Sequence, residues 1–357
     1  MSNESPTRSA TSKRNANIEI LRCFLMFLIV LGHCSCHGAY GKTTTGLVLG
    51  VMTAFDVDAF AFISGWFSIK STPQMMLRFC GLGLFAWCMV TTLTYFLSLY
   101  RGEAMTYRAV EMGWYGNGYL TVMLFAPFLN AGVDSSIEKG GANSAAKLLG
   151  VCLIFMFLMW LPLPDLGIKL GWGWHGHSTI LLMIMYITGR VCSKIESLKA
   201  ISIRRLCAIF CFSEFLTLGW AALTRRYDCG WFGQIKFWDN QSPAQVIAAV
   251  SVFLLFAKCK FPIWLGKACV YAAPSMFVIY LLHDASCAAP IVRPLIQQVE
   301  IRANSLGTGY LGAIITAAVV VYVTGLAVDV LFRRKLLNAI VRFARQKIKA
   351  RGEFDKD

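Results

Sequence analysis

The chain is patterned in long apolar runs separated by short polar segments. Ten runs come close to the length of about 20 residues that a helix needs to cross a bilayer. They cover residues 17–37, 46–67, 78–100, 115–132, 146–162, 177–193, 206–223, 243–257, 269–289 and 308–332. The pattern predicts an all-α integral membrane protein, a bundle of about ten transmembrane helices.

Polar segments flank the apolar region at both ends. Residues 1–16 are rich in Ser, Thr and Asn, and we expect a disordered cytoplasmic tail there. Residues 17–332 are expected to form one transmembrane domain. Residues 333–357 are basic and are expected to form a second cytoplasmic tail.

Composition excludes a soluble domain. Hydrophobic residues make up 57% of the chain and charged residues 15%, against about 25% charged in soluble domains. The net charge of +15 could indicate nucleic-acid binding, but the basic residues lie in short loops and tails. With the N-terminus inside, predicted inner segments carry 24 Lys and Arg and outer loops carry 9. This bias predicts that both termini are cytoplasmic and leaves no reason to expect a nucleic-acid partner.

Two ionisable side chains interrupt the first apolar run. Arg22 and His33 are separated by ten residues, which is about three helical turns. Both would lie on one helix face, roughly 16 Å apart along the axis. Arg22 could simply reach the inner headgroups, and a neutral His33 could bind a backbone carbonyl. An ionisable group inside a membrane span is nevertheless first interpreted as functional.

Further ionisable residues lie in other spans at depths that can be counted. His283 and His33 each lie sixteen residues from the inner end of their segment, so both belong in the outer third of the bilayer. Asp284 adjoins His283, and Asp58 falls near the middle. Asp58 could instead pair with a neighbouring helix. If these groups face one interior, they form a polar ladder from the cytoplasmic side outward.

Other kinds of catalytic site are poorly supported. Residues 33–37 contain four potential metal ligands in five positions. Ligands this close together in sequence cannot easily surround a metal ion with tetrahedral coordination. We therefore expect no metal. Ser64 precedes Gly65 but lacks the glycine-flanked elbow of a serine hydrolase, and no phosphate-binding glycine motif is present.

Four stretches resemble signatures of the acyltransferase-3 family, bacterial integral-membrane O-acyltransferases that modify cell-surface polysaccharides. Arg22 and His33 resemble its Arg-x10-His motif, and residues 57–65 (VDAFAFISG) resemble its V-D/N-x-F-x-x-x-S-G segment. Residues 114–130 resemble its W-Y-L…Y-L…S-P-F-L-N span, and residues 278–284 (VIYLLHD) resemble its Y-L-I-H-D element. Because the four occur in order on a chain with ten apolar segments, the resemblance is fairly specific.

The resemblance implies an enzyme of the plasma membrane that moves an acyl group, usually acetyl, from cytoplasmic acetyl-CoA to a hydroxyl. The acceptor would be a surface polysaccharide or its lipid-linked precursor, and the other partners would be membrane lipids. The resemblance implies that catalysis is carried out by His33, Asp58, His283 and Asp284. It implies that the donor is bound by Arg22, Lys70 and Arg78. It implies that the substrate is bound by Trp114, Tyr119, Tyr280, His175 and His177. His33 would act either as general base or as a transient acyl carrier.

Two other classes of function stay open on sequence grounds. A transporter or flippase for a surface glycan or related metabolite could use the same ladder for protons or substrate. No repeated halves with broken helices are visible in the sequence, which weakens that alternative. A structural or sensory membrane protein has less need of Arg, His and Asp within its spans.

Overall fold

A computed structural model describes residues 15–102, 112–160, 178–227, 239–284, 288–337 and 339. These residues contain helices and no strands, which agrees with the predicted all-α class. The first helices are α1 (Ala16–His37), α2 (Thr44–Thr53), α3 (Asp56–Trp66), α4 (Pro73–Arg101), α5 (Gly113–Trp160), α6 (Thr179–Cys192) and α7 (Glu196–Ala200). The remainder are α8 (Ile203–Arg226), α9 (Pro243–Lys258), α10 (Ile263–Ala272), α11 (Met276–Asp284), α12 (Ala289–Ser305) and α13 (Gly309–Val328).

The described helices fit a membrane protein by length and composition. Seven candidate spans are long and apolar enough to cross a bilayer. One of them, α5, has 48 residues, and at Gly141 its backbone leaves helical geometry (φ 57°), so it contains two helices. The apolar helices α6 and α9 are shorter. Large apolar side chains are exposed along α4 and α5, as expected where a helix faces lipid. The count of ten spans and the orientation of the termini stay predictions.

Helix α1 lies at the centre of the bundle. It packs against α2, α3 and each helix from α9 to α13. Asn15 caps its start by accepting a hydrogen bond from the Asn17 backbone N–H at 3.1 Å. Leu21, Leu25 and Val30 have no exposed surface. Because α1 contacts so many neighbours, ionisable groups on it can meet residues from most of the chain.

Two predicted spans are interrupted. The run predicted as one helix over 46–67 divides into α2 and α3 at Ala54 and Phe55. The run predicted from 269 starts earlier, at Ile263, and a 3₁₀ turn at Ala273–Ser275, which contains Pro274, divides it into α10 and α11. Each of these two runs was predicted as one continuous span, so the breaks before α3 and before α11 correct their bounds.

Residues 290–307 were expected to form an outer loop, and that expectation is wrong. They belong largely to the helix α12, Ala289–Ser305. The helix packs against α1, α11 and α13. The apolar pattern did not predict it because α12 carries several charged and amide side chains. Its inner face nevertheless buries Ile296, Glu300 and Ala303.

The helix break before α11 is held by a buried carboxylate. Asp329, at a π-helical turn after α13, has no exposed surface. Ser275 donates its hydroxyl to Asp329 Oδ2 at 2.6 Å. Arg333 and Arg334 both pair with Asp329, and Arg334 also donates to Ser275 Oγ at 2.6 Å. This network fixes the turn from which α11 starts, and with it the direction of α11.

Helices α3 and α6 approach closely through two glycines. A Cβ on Gly65 would overlap the Tyr186 carbonyl, and a Cβ on Gly189 would overlap the Phe62 carbonyl. Small residues allow such backbone contact between membrane helices. The same region is fixed by Asn130, which accepts a hydrogen bond from the Tyr186 hydroxyl at 2.8 Å and donates to the Ile69 carbonyl at 3.3 Å.

We expect Gly65→Ala to destabilise the fold by at least about 1–3 kcal/mol, the usual cost of overpacking, because two backbones must separate. The measurement is the melting temperature of detergent-solubilised protein. Gly81→Ala on α4 is the matched control, since a Cβ at Gly81 meets no atom within 4 Å. Equal melting temperatures for Gly65→Ala and Gly81→Ala would contradict this packing.

Candidate functional site

A cavity of about 760 Å³ lies inside the bundle. Its wall is formed by α1, the α2–α3 break, α4, the start of α5, the α10–α11 break and the turn before α9. Arg22 and His33 both line it, so the shared face predicted for them on α1 faces one space. Both helix interruptions also border this cavity.

His33 contacts His283, although the two residues are 250 positions apart in the sequence. His33 Nδ1 lies 2.9 Å from His283 Nε2. His283 Nδ1 lies 2.7 Å from the carbonyl oxygen of Ile279, one turn earlier on α11. On the other side of His33, Nε2 lies 3.5 Å from Asp284 Oδ2. The structure thus brings together three of the four residues expected to be catalytic.

These contacts determine where the protons of the histidine pair lie. Because a carbonyl oxygen only accepts, His283 must carry a proton on Nδ1. In its neutral form His283 then has a bare Nε2, to which His33 donates its Nδ1–H. His33 Nε2 is left as the nitrogen that can gain a proton. The carboxylate of Asp284 is placed to stabilise the imidazolium that results.

Helix α12 holds this end of the site in place. Arg293 Nη2 lies 3.6 Å from Asp284 Oδ1, so the guanidinium and His33 flank the same carboxylate. Gln297 donates to the His37 carbonyl at 3.0 Å. Glu300 has no exposed surface and accepts from the Ala39 N–H at 2.7 Å.

The fit of α12 against the end of α1 is close. A Cβ on Gly38 would overlap the carboxylate of Glu300. Burial raises the pKa of Glu300, and the N–H groups of Ala39 and Tyr40 oppose that shift. Neither Arg293 nor Glu300 was predicted from the sequence, since both lie in a stretch expected to be a loop.

At the other end of the cavity Arg22 is the basic group. Its guanidinium lies 3.0 Å from Glu19 Oε1. Because the Arg22 side chain is still 33% exposed, part of the guanidinium is accessible to a ligand. Lys70 and Arg78, also expected to bind the donor, are both exposed. Neither is among the residues that line the cavity.

Aromatic side chains form one wall. Trp114, Tyr119 and Tyr280, all expected to bind substrate, line the cavity together with Tyr115. The rings of Tyr115 and Tyr119 stack at 5.8 Å, and the Tyr119 hydroxyl lies 3.0 Å from Ser64 Oγ. These contacts give the wall a fixed shape. His175 and His177 lie outside the described residues.

The two acids at the start of α3 differ in position. Asp58, expected to be catalytic, has no exposed surface, and its carboxylate oxygens have no hydrogen-bond partner in the described part of the chain. It is not among the residues that line the cavity, whereas Asp56 is. Asp58 was singled out from the sequence because it fits the family-like stretch, which begins one residue after Asp56.

Comparison with known proteins identifies one family. A family model described as an acyltransferase domain, Acyl_transf_3, matches residues 15–330, nearly the whole chain. No curated protein and no solved structure gives a significant match. The matched region contains α1 to α13 and therefore the entire described cavity. With its bundle of apolar helices and its histidine-bearing cavity, the chain belongs to the acyltransferase-3 family of membrane proteins.

Proposed function

We propose that this protein transfers an acetyl group from cytoplasmic acetyl-CoA to a hydroxyl of a surface polysaccharide or its lipid-linked precursor, in the plasma membrane. The observation that carries the proposal is a single cavity that joins Arg22 to His33, with His33 held between His283 and Asp284. A donor that enters at Arg22 could present its thioester at His33. Membership of an acyltransferase family supports the acyl-transfer class.

At the donor end, Arg22 supplies a cation for the phosphates of CoA. A guanidinium binds phosphate through paired, charge-assisted hydrogen bonds. Glu19 contacts Nη1 of Arg22 and leaves other N–H groups of the guanidinium for a ligand. Lys70 and Arg78 are exposed outside the cavity wall and would contact only the nucleotide part of the donor.

Chemistry takes place at His33 Nε2. This nitrogen removes the proton of the acceptor hydroxyl while the hydroxyl oxygen attacks the thioester carbon. The new C–O bond forms, the C–S bond breaks, and the proton passes from His33 to the departing thiolate to give free CoA. Asp284 stabilises the transient imidazolium, and Arg293 holds Asp284. In this proposal His33 acts as a general base, with its ring oriented by His283.

The remaining expected residues take supporting roles in this proposal. Trp114, Tyr119 and Tyr280 offer flat apolar surface with polar edges, which suits a sugar ring or the pantetheine arm. Asp58 would act at most from behind the wall, because it does not line the cavity.

Mass spectrometry of surface glycans from cells with and without the protein tests this function. We expect the glycans of cells that contain it to be heavier by one acetyl unit per modified sugar. A longer acyl group would appear as a larger increment and would correct the donor. A flippase would change the amount of glycan at the surface without changing its acyl content, and that result would contradict the proposal.

A further inference from the structure

One histidine of the cavity has no part in the chemistry proposed above. His37 is the last residue of α1 and lines the same cavity as His33. The two residues are four positions apart, which places them on one helix face, about 6 Å apart along the axis. Their ring centroids lie 6.0 Å apart. His37 therefore borders the space next to His33, on the side that lies away from Arg22 along α1.

The ring nitrogens of His37 are not used by the protein itself. The residue is partly exposed, and no hydrogen bond or ion pair reaches its ring nitrogens within the described part of the chain. His283 differs, because its Nδ1 lies 2.7 Å from the Ile279 carbonyl oxygen. A neutral imidazole has one N–H donor and one bare nitrogen that accepts. At His37 both are available to a molecule bound in the cavity.

The backbone that carries His37 is held in place. Gln297 on α12 donates to the His37 carbonyl at 3.0 Å. The Gly38 N–H donates to the Cys34 carbonyl at 2.8 Å, which closes the end of the helix. Because these contacts involve backbone groups of α1, they fix the position of His37 without occupying its ring. The ring is thus placed at the cavity by a rigid support, as a binding residue requires.

Two structural roles do not account for this ring. Asp284 does not need His37 as a counter-ion, since it lies 3.5 Å from His33 and 3.6 Å from Arg293. Asp284 and Arg293 both act electrostatically on His37, with opposite sign. A metal-binding role lacks further ligands, because the residues that the structure describes contain no group of three or more His, Cys, Asp or Glu that could hold a metal ion.

We propose that His37 binds the acyl acceptor and holds a second hydroxyl of the sugar whose reacting hydroxyl is placed at His33 Nε2. The inference rests on the proposed acyl transfer. It adds a residue that positions the acceptor, and the class of acceptor, a sugar with more than one free hydroxyl. A neutral imidazole can accept a hydrogen bond from such a hydroxyl or donate one to it.

The second hydroxyl suits His37 better than the reacting one. An N–H donated to the attacking oxygen would withdraw electron density from it, whereas a neighbouring hydroxyl can be held at no cost to the attack. The order Arg22, His33, His37 along α1 then places the donor and the acceptor on opposite sides of the general base.

Carbethoxylation measures this contact without turnover. Diethyl pyrocarbonate transfers an ethoxycarbonyl group to an accessible neutral imidazole nitrogen, and peptide mass spectrometry reads each histidine separately. The full-length protein in detergent is treated alone, with acetyl-CoA, or with the surface glycan of cells that lack the protein. His283, which is 3% exposed, is the internal control and should stay unmodified.

We expect His37 to react in the free protein and the glycan to slow its reaction several-fold, while acetyl-CoA alone leaves its rate unchanged. No reaction of His37 in the free protein would overturn the proposal. Protection of His33 alone by the glycan would also overturn it, as would protection of His37 by acetyl-CoA but not by the glycan.

The transfer assay adds a matched pair of variants. His37→Leu should raise KM for the acceptor glycan by about two- to tenfold, the usual contribution of one hydrogen bond, and leave KM for acetyl-CoA unchanged. His37→Gln keeps a donor and an acceptor, so it should recover part of this loss. Both variants should keep the melting temperature of the wild type within a few degrees. An unchanged KM for the glycan in a folded His37→Leu protein would contradict the assignment.

The proposed function and this inference fail in different ways. If the wild type transfers no acyl group, the proposed function fails, whereas protection of His37 by the glycan is measured without acetyl-CoA. If the wild type transfers acyl groups and the glycan leaves His37 unprotected, the function stands and the acceptor is positioned by other residues.

Discussion

Replacement of His33 by Gln is expected to lower kcat of acyl transfer by about 10²- to 10⁴-fold, the usual contribution of a positioned general base. Gln can donate a hydrogen bond to His283 but cannot accept a proton at neutral pH. The binding of acetyl-CoA at Arg22 should persist, because about three helical turns of α1 separate the two residues. The measurement is initial transfer rate against acetyl-CoA concentration.

A folding defect must be separated from a chemical one in that variant. His33→Gln should migrate as the wild type in detergent gel filtration and keep its melting temperature within a few degrees. Since His33 is only partly buried, the substitution leaves no large void. Transfer at wild-type rate by a well-folded His33→Gln protein would remove His33 from the mechanism.

The second large effect is expected at His283. His283→Leu removes the atom that accepts the His33 Nδ1–H, so the ring of His33 loses both its tautomer and its orientation. In the Ser–His–Asp triad of serine proteases, an incorrect histidine tautomer lowers kcat by about 10⁴-fold. We expect a loss of about 10²- to 10⁴-fold in kcat for His283→Leu, measured in the same transfer assay.

His283→Gln separates a positioning role from a merely structural one. Its side-chain oxygen can still accept the proton of His33 Nδ1, so this variant should recover part of the activity lost in His283→Leu. Both variants lose the hydrogen bond from His283 Nδ1 to the Ile279 carbonyl. Equal activity in His283→Leu and the wild type would show that His283 does not orient His33.

Much of the architecture can be predicted from the order and spacing of apolar and ionisable residues in the sequence. Apolar runs of membrane length predict helices because backbone polar groups have no other partners in lipid. The spacing of Arg22 and His33 predicts one face, and both line one cavity. Counting residues from the helix ends predicts equal depth for His33 and His283, which their 2.9 Å contact requires.

Features that depend on tertiary packing were not predictable in this way. The break at Ala54 and Phe55 has no Gly or Pro in it, so no local signal marks it. This break depends on the packing of the neighbouring helices. It places Asp56 at the cavity wall. At the second break, Pro274 is a local signal, but the run was predicted as one span because it is apolar on both sides of the proline.

Helix α12 shows the limit of hydropathy in a membrane protein. Arg293, Gln297 and Glu300 recur at spacings of three or four residues, which places them on one helix face. That face meets the end of α1 and Asp284. A search for periodic polar residues between spans, rather than for apolar length alone, would have indicated this helix and its link to the site.

Acyl groups are expected to pass from the Arg22 end of the cavity to an acceptor at His33. The most direct test uses right-side-out membrane vesicles that contain the wild type or His33→Gln and the surface glycan of cells lacking the protein. Acetyl-CoA with an isotopically labelled acetyl group is sealed inside, and the label in the external glycan is measured. We predict label with the wild type and at most about 1% of it with His33→Gln. Equal label with both proteins, or label only when acetyl-CoA is supplied outside, would contradict this route.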